Sequence, residues 1–193
     1  MIRRGLAAVT AAAALLPAGC ARAAATSPPA TAAVEPGAGR FIEEGPLPVA
    51  GLPDQRLTSW LPPGYDRDGR TYPVLYMHDG HNLFDPAKSN FNKFWAVDKA
   101  LTQLVAEGRI EPHIVVGIWA PGADRYRQYL PAFVVSQAQG AVAESIAGLT
   151  GGKPVVSDRY LAWLADDLKP RIDRTFRTRP APAPHPPPTR AAP

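Results

Sequence analysis

At 193 residues, with 46% hydrophobic and 20% charged residues, the chain can bury a core of one moderate domain and is not a wholly disordered protein. Its formal net charge of +4 sits at the ends. Setting aside Arg3, Arg4, Arg22, Arg174, Arg177, Arg179 and Arg190 leaves 14 basic residues against 17 acidic ones, with no basic patch interleaved with aromatics, which excludes nucleic acid as a partner. The single cysteine, Cys20, excludes an intrachain disulfide and a cysteine-based metal site.

Residues 1–25 read as an export signal: Met1-Ile2-Arg3-Arg4 is a positive start, and Leu6 to Leu16 is an apolar run too short to span a bilayer. Two processing sites compete. Leu16-Pro17-Ala18-Gly19-Cys20 resembles a bacterial lipobox, in which Cys20 would be lipidated and tie the protein to a membrane, although Pro17 stands where an aliphatic residue is usual. Ala21-Arg22-Ala23 and Ala23-Ala24-Ala25 have the small-x-small form of plain secretion. The expected location is therefore outside the cytoplasm, as a periplasmic lipoprotein or a secreted protein. Residues 26–40 are rich in Pro, Ala and Gly and read as a mobile tether.

Residues 41–178 are the expected domain. Arg56 to Leu61 alternates as a strand, stopped by Pro62-Pro63-Gly64. Val74 to Met77 is a short strand, apolar on both faces, and Tyr72 to Asp85 (YPVLYMHDGHNLFD) carries it into a polar, glycine-containing turn. Phe94, Trp95, Val97, Leu101, Leu104 and Val105 are spaced for a helix over 92–107, with Gly108 as its stop. His113 to Trp119 is a further apolar strand, so strand, helix and strand form a parallel βαβ unit with a hairpin-like strand ahead of it. Residues 123–152 read as irregular, with a weak helix over 137–149. Ser157 to Phe176 is an amphipathic helix with Tyr160, Leu161, Leu164, Leu168 and Ile172 on one side, Ser157 as N-cap and Pro170 bending it. Residues 179–193 contain seven prolines in fifteen positions and read as a disordered Pro-rich tail.

The strand-to-turn segment is where chemistry is expected. Backbone N–H groups of Asp79, Gly80 and His81 are suited to an oxyanion hole, because fixed dipoles can be aimed at developing negative charge. The bland alternative is a tight βα turn bonded locally. His78, Asp79, His81 and Asp85 also hold imidazole and carboxylate groups, but at a strand end they point apart, so no metal site is expected. No cofactor motif is present.

Tyr72 to Asp85, together with Trp95-Ala-Val-Asp98, Ile114 to Ile118, Arg125 to Pro131 and Tyr160 to Thr178, resembles the bacterial Putative esterase family of the α/β-hydrolase fold, with its enterochelin-esterase-like and esterase D-like members. The HDG-x-N-L-F-D block is the specific part, and His81 stands where the family more often has Gln. The resemblance implies an α/β fold: an α/β-hydrolase-like sheet with flanking helices. It also implies Asp79, Gly80 and His81 in the oxyanion loop, and a substrate-side loop in which Arg125 or Tyr129 touches a small-molecule ester. Against this stands a loop-anchoring salt bridge for Arg125.

Such a hydrolase needs a serine on a sharp G-x-S-x-G turn, followed by an acid and a histidine. None of Ser27, Ser59, Ser89, Ser136, Ser145 and Ser157 has glycines two residues before and after it, and His185 lies in the Pro-rich tail. No catalytic residue is identifiable. The expected domain is one truncated before the nucleophile-elbow strand, through a reading-frame change near residue 179 or as a short protein with a partner-binding tail. Two functions compete: an exported serine-esterase-like protein inactive as this chain, and a lipid-anchored, non-catalytic binding module that presents a polyproline ligand.

Overall fold

The computed structural model describes residues 38–180. The leader with Cys20, most of the tether and the Pro-rich tail with His185 lie outside the described residues. The described chain forms strands β1 (Arg40–Leu47), β2 (Gln55–Leu61), β3 (Val74–Met77) and β4 (Ile114–Ile118). The helices are α1 (Val97–Ala106), α2 (Arg125–Tyr129), α3 (Ala132–Gln137), α4 (Gly140–Thr150), α5 (Ser157–Ala162) and α6 (Lys169–Thr175).

The sheet order is β1-β2-β4-β3, with β1 and β4 both antiparallel to β2 and β3 parallel to β4. The β3-α1-β4 crossover is thus the expected parallel unit. The strand ahead of it, however, pairs with β4 and not with its sequence neighbour β3. β2 and β4 are consequently buried nearly throughout, whereas β1 is a half-exposed edge, interrupted by a register shift at Gly45-Pro46. Proline is tolerated there because an edge strand has N–H groups without ladder partners. That interruption, with Glu43 and Glu44 ahead of it, hides β1 from a reading of hydrophobic pattern.

Each face of the sheet carries its own apolar cluster. Leu57, Leu61, Ile114, Val116 and Ile118 pack against Tyr160, Leu168 and Ile172 of the long C-terminal helix. Trp60 and Val115 pack against Leu83 and Val97 at the start of α1. β2 and β4 thus feed both clusters, as period-2 alternation requires of central strands.

Two helices depart from expectation. The helix predicted from residue 92 begins at Val97, because Trp95 N–H donates to Asn82 O and Val97 N–H to Leu83 O, with Asn92 and Ala96 in the left-handed region. Tertiary pairing with the 80–83 loop overrides the local period, and Trp95 is left exposed. In the C-terminal helix, Trp163 to Leu168 is a π-helical turn in which Lys169 N–H donates to Leu164 O, five residues back. Pro170 falls in the first turn of α6, where its missing N–H is cheap. The extra residue of the π turn also resets the buried face, which runs Tyr160, Trp163, Leu168, Ile172 with a five-residue step inside that turn. Leu161, expected on that face, is exposed. The 123–152 region is more regular than expected, holding α2, α3 and α4.

After α6 the chain turns extended. Tyr72 N–H donates to Arg177 O at 2.9 Å and Arg179 N–H donates to Tyr72 O at 2.7 Å, a parallel bridge between Tyr72 and Thr178 beside the start of β3.

Candidate active site

β3 points its C-terminal end at His78, Asp79 and Gly80, and Gly80 to Asn82 form a single 3₁₀ turn closed by Asn82 N–H to Asp79 O at 2.8 Å. In such a turn the first N–H groups have no partner within the helix. Those of Gly80 and His81 are therefore the groups available to a ligand, and the Asp79 backbone supplies the bend, at φ 54° and ψ 44°.

Two contacts hold this bend. Gly80 lies against Gly117 of β4, so closely that a Cβ on Gly80 would sit 2.6 Å from the Gly117 carbonyl carbon. Asp79, in the left-handed region that L residues avoid, is gripped by a bidentate ion pair: Arg125 Nε to Oδ1 at 2.9 Å and Arg125 Nη2 to Oδ2 at 2.8 Å. Hydrogen bonding from Arg125 holds the Asp79 carboxyl below its ordinary value, and Asp79 in turn raises Arg125. Arg125 thus acts on the loop itself, and its guanidinium also lies 5.2 Å from the Tyr129 ring.

The two histidines diverge as expected of a strand end. His78 is half-buried between Tyr129, at 4.9 Å edge-to-face, and Tyr160, whose hydroxyl lies 3.0 Å from Nδ1. His81 turns the other way, toward Trp119, and accepts a hydrogen bond at Nε2 from Asn90 Nδ2 at 3.0 Å. Burial lowers both imidazoles, so both are neutral near pH 7. Asp85 Oδ1 caps the Ala87 N–H instead of joining them. Burial pushes the Tyr129 hydroxyl up to about 12 and Tyr160 higher still. Beneath them Gln55 and Gln128 bond each other at 3.0 Å, both fully buried.

The loop separates two cavities. One of about 340 Å³ is bordered by Gly80, His81, Thr58, Phe84 and Trp119. The other, about 510 Å³, is bordered by His78, Arg125, Tyr129, Phe133, Ser157 and Tyr160. Asp79, Gly80 and His81 are thus brought together with Arg125, and Tyr129 lies beside both Arg125 and His78 on the border of the second cavity. Ser157 is not an N-cap: Val156 holds that position, and the Ser157 hydroxyl is buried without a hydrogen-bond partner. Ser59 is buried in β2, while Ser89, Ser136 and Ser145 bond backbone carbonyls of their own turns and helices. Gly117, missed by the sequence reading, has one local signal: a glycine inside an otherwise apolar strand marks a close backbone approach.

The sequence matches the Putative esterase family over residues 54–185, more than half of the chain, and the chain belongs to that family. No curated protein is similar enough in sequence to count as a relative. Among solved structures, an IroE-like serine hydrolase from Shewanella oneidensis is 26% identical, with a TM-score of 0.50 over 72% of this chain and 40% of its own. The BES protein from Bacillus cereus is 16% identical, with a TM-score of 0.46 over 73% of this chain and 47% of its own. A ferulic acid esterase from the anaerobic fungus Anaeromyces mucronatus is 16% identical, with a TM-score of 0.40 over 74% of this chain and 45% of its own. The chain therefore spans less than half the length of the solved structures it matches. Its four-stranded mixed sheet with flanking helices is a partial α/β-hydrolase-like domain.

Proposed function

We propose that Asp79, Gly80 and His81 form the oxyanion side of a serine-esterase site and that this chain, without a serine elbow, acid and base, does not hydrolyse esters by itself. The observation that carries the reading is the loop geometry. Two N–H groups open a 3₁₀ turn, and the residue before them is held in a left-handed bend by Arg125. In the complete reaction a serine would attack a carboxylic ester, and the carbonyl oxygen would gain negative charge before the acyl-enzyme is hydrolysed. Donors already in place stabilise that charge without reorganising, which is where such loops lower the barrier. The substrate would be a small-molecule carboxylic ester, such as an acylated sugar or a siderophore ester, lying across Gly80 between the two cavities. The same reading places the protein outside the cytoplasm, supported by the export-like sequence of residues 1–25, with Cys20 as the candidate for lipid attachment.

A second reading is a lipid-anchored binding module. The cavity beside His78 and Arg125 favours it, since a cleft of about 510 Å³ with apolar walls and a few polar groups can hold a ligand without any nucleophile. The two separate in one experiment on the purified chain with p-nitrophenyl acetate. Hydrolysis no faster than buffer is expected. Turnover that a serine-directed phosphonate abolishes overturns the inactive assignment, and saturable binding of the uncleaved ester moves the weight to the binding module.

A further inference from the structure

Tyr160 is 2% exposed, and burial keeps its hydroxyl protonated far above neutral pH. A buried donor left unpaired is costly, so that proton needs an acceptor. The Gln128 amide beside it is not one. Gln55 Nε2 donates to the Pro53 carbonyl at 2.6 Å, which fixes the direction of the Gln55 amide, and the same nitrogen donates to Gln128 Oε1 at 3.0 Å. Gln128 therefore spends its oxygen on Gln55 and stands beside Tyr160 as a donor, lowering the hydroxyl's value against the rise from burial. The Tyr129 hydroxyl makes no hydrogen bond among the described residues. His78 Nδ1, 3.0 Å from the Tyr160 hydroxyl, is the acceptor that remains. A neutral imidazole that accepts at Nδ1 carries its one proton on Nε2. The Pro53 carbonyl thus orients two amides, and the phenol beside them sets the tautomer of His78.

The Nε2–H has no partner among the described residues, and His78 borders the cavity of about 510 Å³. Ser157 borders the same cavity. Its residue is only 4% exposed, and nothing in the fold holds its hydroxyl, which is free to turn toward a ligand. The remaining walls are apolar. The Tyr129 and Tyr160 rings lie 5.7 Å apart, and Phe133 and Leu161 are 67% and 60% exposed, surface that an apolar body in the cavity would cover. Uncommitted donors among apolar walls call for an acceptor oxygen. Charge narrows the choice. The Arg125 guanidinium is already matched by Asp79, and Asp158 adds an exposed carboxylate, so an anion meets net repulsion. A cation finds only Asp158, which water screens.

We propose that this cavity binds an uncharged carbonyl compound with an apolar body, such as an ester, a lactone or a ketone. The His78 Nε2–H and the Ser157 hydroxyl hold the carbonyl oxygen, and Tyr160 is the positioning residue that fixes the His78 tautomer. The proposal rests on the reading of this cavity as a ligand cleft and names the chemistry it selects. It needs no nucleophile and is independent of the oxyanion assignment.

Three ligands of one shape test it on the full chain: benzylacetone, which carries an uncharged carbonyl, butylbenzene, which carries none, and hydrocinnamate, which is an anion. Binding is read by NMR titration. The His78 ring, identified by its loss in His78→Gln, should show a protonated Nε2 and an unprotonated Nδ1 in nitrogen-15 spectra. Benzylacetone should saturate and shift that Nε2–H, with the other two about tenfold weaker or more. Ser157→Ala, which removes no hydrogen bond of the fold, should weaken benzylacetone about threefold or more. Tyr160→Phe should mix the His78 tautomers and weaken the same ligand. Equal affinity for all three ligands overturns the proposal and leaves the cavity as an unselective cleft. No binding of any of them overturns both the proposal and the binding-module reading. A proton on Nδ1 in wild type overturns the role given to Tyr160, and unchanged affinity in Ser157→Ala overturns that of the serine.

Discussion

Asp79 occupies a backbone conformation that costs a non-glycine residue of the order of 1 kcal/mol, and it does so at the start of the 3₁₀ turn formed by Gly80 to Asn82. Arg125 offsets that cost. Its side chain is 42% exposed against 18% for Asp79, so water screens the pair, and Arg125→Ala is expected to lower stability by only about 1 kcal/mol. The sign with pH follows from the carboxylate. Its folded value lies below the ordinary 3.8, so the pair stabilises above that pH and the contribution is lost as pH falls through the folded value. Denaturant titration of wild type and Arg125→Ala should show a constant gap at neutral pH that closes in strong acid. A gap that persists there means that Arg125 acts through packing on Tyr129 instead. Ser157 presents the opposite case. Its buried hydroxyl has no partner, so Ser157→Ala is expected to leave stability unchanged or raise it by about 1 kcal/mol. A loss above that range in thermal or chemical unfolding would reveal a hydrogen bond that the fold uses.

Elements were readable in proportion to how far their own sequence decides them. The apolar run at Ile114 to Ile118 and the strand at Val74 to Met77 have few other places to go, and both strands and their parallel pairing were visible from pattern alone. β1 was not, because an edge strand may break its pattern with Glu43, Glu44 and Pro46. The start of α1 was misplaced because Trp95 and Val97 bond the 80–83 loop, a contact between segments that no local period encodes. At the candidate site, the HDG turn was legible as chemistry, whereas its partners Arg125 and Gly117 are 46 and 37 positions from Asp79 and Gly80 in sequence, and only the fold joins them. Gly117 makes the element-level prediction. A Cβ there would meet Leu83 Cδ1 at 2.8 Å and Gly80 Cα at 3.2 Å, and backbone cannot yield as a side-chain tip can. Gly117→Ala should therefore destabilise by about 1–3 kcal/mol and displace the 79–82 turn. Crystallography or chemical shifts of His81 would show the displacement, and an unmoved turn would mean that β4 and the loop are not in contact. Pro170→Ala, by contrast, should change stability by less than about 1 kcal/mol, since the π turn already places the proline in the first turn of α6.

At the scale of the molecule, the sheet brings the site's titratable groups to one end of β3 and turns them to opposite sides. His78 looks toward the cluster under the long helix, and His81 looks toward Trp119. Both rings are held below the ordinary 6.5, chiefly by burial, with Asp79 opposing the shift and Arg125 reinforcing it. An unfolded chain takes up protons at these positions before the folded one does. Their contribution is therefore fully present above about pH 6.5 and is lost as pH falls through the folded values. This step precedes the one from Asp79, which begins only below 3.8. The global unfolding midpoint in denaturant should accordingly fall between about pH 7.5 and about pH 5, with an unchanged slope if the transition stays two-state. The variant His78→Gln/His81→Gln should flatten that fall and leave the acid step in place. Removing His78 alone also deprives the Tyr160 hydroxyl of its partner, so it should cost stability at every pH as well as part of the slope. Equal slopes for wild type and the double variant would show that neither ring is withdrawn from water. The two sides of the 79–82 turn would then have to stand open to solvent in the free protein.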